Sequence, residues 1–164
     1  MDAVASWFST FAAAHPELHL DLLGRLILAV VLGGAIGWER ERSRKPAGLR
    51  TNILICVGAA LLTYVGMSMA AAGGGGSDPA RIAAQIVSGI GFLGAGTILQ
   101  SRGSVTGLTT AATMWVVAAI GIAVGSGAYV EAVGASALVL VVLIPLGILE
   151  DRYEARAGEE TPAP

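Results

Sequence analysis

The thirty residues Leu32–Leu61, LGGAIGWERERSRKPAGLRTNILICVGAAL, decide the fold. They run from an apolar, glycine-spaced segment through a densely charged loop and back into an apolar segment. A soluble helical pair would alternate polar and apolar positions on each helix. Here the polar residues are confined to the connection, the pattern expected when lipid rather than water surrounds the helices. The loop from Glu39 to Arg50 holds Arg40, Arg42, Arg44, Lys45 and Arg50, half of the chain's ten basic residues.

Working outward, apolar segments of spanning length fall at 22–38, 51–72, 82–100, 106–125 and 129–149, each near the ~20 residues a bilayer demands. Between Thr51 and Leu149 the only charged residues are Asp78, Arg81, Arg102 and Glu131, each at a break between apolar runs. The composition agrees: 54% apolar, 13% charged and a mean hydropathy of +0.71, against about 25% charged in a typical soluble domain. The expectation is an all-α bundle of five transmembrane helices over 22–149. An interfacial N-terminal segment, 1–21, precedes it, with Trp7, Phe8 and Phe11 at headgroup depth. A short disordered tail, 150–164, follows it.

Charge sets the orientation. By the positive-inside rule the Glu39–Arg50 loop is cytoplasmic. Alternation then puts the N-terminus and Gly73–Pro79 outside, Arg102 inside, and Arg152 and Arg156 inside. Every basic connection lands on one side only if there are five spans. Arg25 is the first basic residue, preceded by Asp2, Glu17 and Asp21, so no basic leader region precedes the first span and the N-terminus reads as retained.

Local signals mark the boundaries. Asp78-Pro79 reads as an N-cap followed by proline at the first helical position. Thr106 is positioned to cap the fourth span, Thr109 and Thr110 lie in its first turn, and Pro145 should kink the fifth without stopping it. Gly73–Gly76 ends the second as a flexible link.

Several residue groups are candidates for function. Ala29, Gly33 and Gly37 form a small-residue ridge on the first span, and Gly121 and Gly125 a comparable stripe on the fourth, either as helix contacts within the bundle or as a dimer face. The third span carries Gly89, Gly91, Phe92, Gly94 and Gly96. The GxGxxG match there is rejected as a dinucleotide fingerprint, because no strand precedes it and no acidic residue follows at the ribose distance. Close helix packing and a broken helix lining a cavity both remain open. Gln85, one turn after Arg81 in the same span, is placed to face a polar cavity or to bond a neighbouring helix. In the basic loop, Glu41 is spaced to pair with Lys45. Arg50, beside Thr51, starts a helix where a cation opposes the macrodipole, so it calls for an anion: lipid phosphate, Glu39 or Glu41. Arg25 is spaced to pair with Asp21.

The chain's single cysteine, Cys56, excludes an intrachain disulfide and reads as a small buried hydrophobe. His15-Pro-Glu17-Leu-His19 lacks a metal-binding spacing. No carboxylate falls near the middle of any span, and no nucleophile–base pair suggests catalysis. The expectation is therefore a protein with no enzymatic activity, no cofactor, no metal site and no nucleic-acid partner.

With these residues in view, Leu32–Leu61, QIVSGIGFLGAGTIL (85–99) and GLTTAATMWVVAAIGIAVGSGAY (107–129) closely resemble the membrane domain of the MgtC/SapB family, in that family's order and spacing over roughly residues 22 to 149. The resemblance implies a five-span protein of the bacterial inner membrane, linked to growth at low magnesium, acid adaptation and survival inside phagocytes. It implies action by binding another membrane complex such as the F-type ATP synthase, with a Mg²⁺ or other small-cation channel or carrier as the alternative, and with homo-oligomerisation open. It carries function to Glu39, Arg40, Gly48, Arg50 and Thr51, and to Gln85, Gly89, Gly91, Phe92, Gly94, Gly96, Leu108, Thr109, Thr110 and Trp115. Many members have a cytoplasmic domain resembling ACT-type folds after the spans. This chain stops soon after the fifth, which puts regulation through such a domain in doubt here.

Overall fold

The computed structural model describes residues 16–72, 78–101 and 104–159. Within them the chain is helical except for one small hairpin. The helices are α1 (Pro16–Arg42), α2 (Leu49–Ala72), α3 (Pro79–Thr97), α4 (Leu108–Ser126) and α5 (Tyr129–Glu159), with β1 (Leu99–Ser101) and β2 (Ser104–Thr106) between α3 and α4. The aromatic N-terminal stretch, His15, Gly73–Gly76 and Arg102 lie outside the described residues.

Among the described residues four helices are long and apolar enough to cross a membrane: α1 over Asp21–Arg42, α2 over Leu49–Ala71, α4, and α5 over Tyr129–Gly147. At 19 residues α3 is as long as α4, about 29 Å at 1.5 Å per residue. Arg81, Gln85 and its glycines make it less apolar than the rest.

Boundaries differ from the sequence reading in ways the local chemistry explains. α1 continues past Trp38 to Arg42, ending with Arg40 and Arg42 in its last turn, where cations complement the carbonyl end of the macrodipole. α3 begins where expected: Asp78 accepts a hydrogen bond from the Ala80 N–H, and Pro79 occupies the first turn. It ends three residues early, at Thr97, and the chain turns into an antiparallel hairpin pairing Leu99 with Thr106 and Ser101 with Ser104.

Thr106 is consequently a strand residue, and the N-cap of α4 is Gly107 at φ 89°, with no side-chain cap. A Cβ there would run into the Thr97 carbonyl oxygen, so both the left-handed backbone and the close approach call for glycine. Pro145 lies inside α5 without ending it. The helical backbone continues to Glu159, past the expected boundary at Leu149, through a stretch dominated by good helix formers (Glu150, Arg152, Glu154, Ala155, Arg156).

The core is built around α2 and α4. In lipid, apolar side chains gain little by leaving the bilayer, so helices associate by close van der Waals fit. Buried Ala29 and Ile36 of α1, Cys56 and Ala60 of α2, and Val117, Ile120 and Val124 of α4 form that contact, and Ala59 of α2 packs in a second cluster with Ile86 of α3 and Ala118 of α4. A Cβ at Gly33 would stand 2.8 Å from both the Asn52 oxygen and the Cys56 Cβ, and one at Gly37 2.7 Å from the Leu49 Cα. A Cβ at Gly121 would strike the Cys56 carbonyl oxygen, and one at Gly125 that of Ala60. Helix α2 is thus gripped from two sides by glycine ridges, with Cys56 touching both. Two hydroxyls inside the bundle bond back to their own helix, Thr113 to the Thr109 carbonyl at 2.7 Å and Ser136 to that of Ala132 at 2.8 Å, which keeps them from being orphaned in lipid, whereas the buried Thr63 hydroxyl has no partner among the described residues.

Candidate functional site

The α1–α2 connection is a scaffolded loop, in which buried polar groups hold exposed cations in place. At the end of α1, Glu39 and Arg40 are 9% and 4% exposed. The guanidinium donates from Nε to Glu39 Oε2 at 2.5 Å and from its terminal nitrogen to Oε1 at 2.9 Å, and Ser43 Oγ donates to the same Oε1 at 2.8 Å. This forked, nearly dry pair lies within the helix rather than in the loop. Such a pair is costly to break, because the survivor keeps an uncompensated charge.

The loop then turns through two residues in the left-handed region, Arg44 at φ 53° and Ala47 at φ 56°. Its return is tied by Asn52, fully buried on α2, whose Nδ2 donates to the Ala47 and Gly48 carbonyls at 2.5 and 3.0 Å. Glu41 does not pair with Lys45; its Oε2 accepts the Leu49 N–H at 2.9 Å, placing an anion on the first turn of α2. A Cβ at Gly48 would lie 2.9 Å from that oxygen and 3.3 Å from the Glu41 Cβ, so Gly48 makes room for the cap. The anion sought for Arg50 therefore neutralises the helix start itself. Arg50 is exposed, with no ion pair among the described residues, as are Arg42, Arg44, Lys45 and Thr51.

Sequence reasoning singled out the loop but missed its frame. The burial of Glu39 and Arg40, the two-carbonyl tie by Asn52 and the cap by Glu41 were not foreseen. Only the bare adjacency of Asn52 to a helix start hinted at its role.

The glycine-rich helix α3 does not break. α3 is continuous through Gly89, Gly91, Gly94 and Gly96, so the unwound-helix reading is corrected. Close packing holds only at Gly94, whose Cβ would meet Ala111 at 3.4 Å; Gly89, Gly91 and Gly96 face open space, and Phe92 is 81% exposed. The alanine, isoleucine and leucine residues of α3 sustain the helix against the ~1 kcal/mol that each interior glycine costs relative to alanine, and Gly96 sits just before the helix ends. Gln85 is exposed on the same helix. Of the α4 candidates, Thr110 is buried, while Thr109, Leu108 and Trp115 are exposed. The structure does not gather α3 and α4 candidates into one polar centre, and among the described residues no three His, Cys, Asp or Glu side chains cluster.

A second polar junction closes the opposite end. Arg25 donates from Nε to Asp21 at 2.9 Å, as expected from the spacing, and also from Nη1 to the Gly125 carbonyl at 2.7 Å. Its guanidinium stands 5.2 Å from the Tyr64 ring and 5.6 Å from that of Tyr129.

The profile of the MgtC family matches residues 26–152. The chain is 49% identical over 127 residues to a protein of Escherichia coli K12 named "Putative magnesium transporter YhiD", covering 75% of this chain and 59% of that one. It is 46% identical over 147 residues to an uncharacterized protein of Haemophilus influenzae, covering 86% and 61%. It is 50% identical over 114 residues to "Protein MgtC" of Brucella abortus, covering 70% and 46%. The chain thus spans about half to three-fifths of the length of these relatives. No solved structure matches it.

Proposed function

The chain belongs to the MgtC family, and on that premise we propose that it is a non-enzymatic, five-span protein of the bacterial inner membrane that supports magnesium homeostasis by binding another membrane complex. Helix α3 is a span as well, third in order, and completes the five: its length equals that of α4, and with it every basic connection falls on the cytoplasmic side. The observation that carries the reading is the frame of the α1–α2 loop. Fixing Arg42, Arg44, Lys45 and Arg50 on a buried ion pair and two side-chain ties removes the ordering entropy a floppy basic loop would lose on docking. A rigid cationic surface suits an acidic, membrane-proximal partner, and the F-type ATP synthase is the partner the family resemblance suggests.

Pull-down of tagged protein in mild detergent from cells grown at low magnesium tests this. The wild-type chain should enrich a membrane complex. A variant with Arg42, Arg44, Lys45 and Arg50 all changed to Gln should lose that enrichment at equal expression. Equal enrichment by both, or none by either, would overturn the reading.

A second reading is favoured by the name of the Escherichia coli relative, a putative magnesium transporter. Purified protein in liposomes discriminates: Mg²⁺ flux abolished by Gln85→Leu but retained by the four-Gln loop variant would place transport first.

A further inference from the structure

Helices α2 and α3 splay apart and leave a groove of about 840 Å³ open along one side of the bundle. Its floor is small: Gly58, Ala59 and Gly89 line it, and at Gly58 and Gly89 nothing lies within 4 Å of where a Cβ would stand. Its walls include Leu54, Leu62 and Leu93, all exposed. Polar residues appear only at one end, where Asp78, Arg81 and Gln85 meet. Asp78 caps the start of α3 by accepting the Ala80 N–H, so its charge is set against the positive end of the helix macrodipole rather than against Arg81. Arg81 is exposed and forms no ion pair among the described residues, so one uncompensated cation marks the mouth.

We propose that this groove is a binding site for one anionic bilayer phospholipid, with its phosphate on Arg81, its glycerol esters within reach of the Gln85 amide, and an acyl chain lying over Gly58 and Gly89. The grading from a cation at one end to apolar walls along the rest is that of a phospholipid. Length decides against a partner's transmembrane helix. Below the mouth at Asp78 and Arg81, the part of the groove that lies among apolar side chains runs from Ile82 to Leu93, about 16 Å along α3 at about 1.5 Å per residue, close to half of the ~30 Å hydrocarbon core. It therefore serves one leaflet, whereas a docked spanning helix would need a seam through both. The inference rests on the membrane placement of α3 proposed above and is independent of the loop's partner.

Native mass spectrometry of protein released from nanodiscs of phosphatidylglycerol and phosphatidylcholine tests it. Wild type should retain a single phosphatidylglycerol, with a preference over phosphatidylcholine of about five-fold, the size expected for one interfacial cation. Gly89→Leu fills the groove and should lose the retained lipid. Gly134→Leu adds the same bulk where α5 faces open space and should keep it. Arg81→Gln leaves the groove open and should keep a lipid while losing the preference, which decides the matter even if Gly89→Leu does not fold. Retention by folded Gly89→Leu equal to wild type, or an undiminished preference in Arg81→Gln, would overturn the proposal. So would efficient disulfide cross-linking of two copies through Leu93→Cys in a Cys56→Ala background, which would give the groove to a second chain. Loss of lipid binding with the loop pull-down intact would leave the partner reading standing.

Discussion

Arg25 sits about two and a half turns inside α1 and reaches all of α2, α4 and α5: the ring of Tyr64, the Gly125 carbonyl and the ring of Tyr129. The carbonyl is near the C-terminal end of α4, where the macrodipole is negative, and the flat guanidinium can fork to Asp21 and Gly125 while stacking, which a lysine ammonium cannot. Arg25→Leu should lower stability by about 2–3 kcal/mol, a charged hydrogen bond plus partly desolvated ring contacts, measured by denaturant unfolding in mixed micelles. Arg25→Lys should recover only part of it. The Glu39–Arg40 pair makes a different prediction. Arg40→Leu alone strands a buried carboxylate and should cost about 3–5 kcal/mol, whereas Glu39→Leu/Arg40→Leu together should cost less than the single change. A double variant less stable than Arg40→Leu would show the pair to be net stabilising in its own right. At Asn52, the loss of two carbonyl ties in Asn52→Leu should leave the bundle folded but speed tryptic cleavage after Arg42 and Arg44, read by gel after brief digestion.

At the scale of elements, the bundle depends on how closely α2 can be approached. Gly33 and Gly37 on one side and Gly121 and Gly125 on the other each leave no room for a Cβ. Gly121→Leu should therefore prevent a monodisperse fold, or cost at least about 2 kcal/mol where it folds. Gly91→Leu, facing open space, should elute and unfold like wild type. Reversed outcomes in size-exclusion and unfolding assays would mean that the glycines of α3, rather than those of α1 and α4, hold the bundle. The sequence made part of this legible. Four-residue spacing of small residues announced helix contacts on α1 and α4, and Asp78-Pro79 announced the start of α3, because capping is local chemistry. Spacing could not say which ridge is occupied, so the glycines of α3 looked as important as those of α1. The hairpin went unseen since three-residue strands leave no periodicity, and the requirement for glycine at Gly107 comes from the Thr97 carbonyl across the turn. The Glu39–Arg40 pair was hidden for another reason: adjacent residues on a helix seldom face each other, and a run of alternating Glu and Arg reads as solvated.

For the whole molecule, the apolar segments and the grouping of basic residues carry the architecture, and the structure adds what sits on each end. One end is closed by Arg25 and its partners, the other by the framed basic loop, and α3 leans outward with a groove beside it. The account as a whole depends on α3 crossing the membrane, since only then do the α1–α2 loop and the α5 tail share a face. Cysteine accessibility in intact cells tests this most directly, on a Cys56→Ala background with Ser43→Cys, Asp78→Cys, Ser126→Cys and Arg156→Cys made singly. The account predicts that Asp78→Cys and Ser126→Cys react with an impermeant maleimide from outside, while Ser43→Cys and Arg156→Cys react only after the membrane is opened. Ser43→Cys and Arg156→Cys labelling from opposite faces would contradict it.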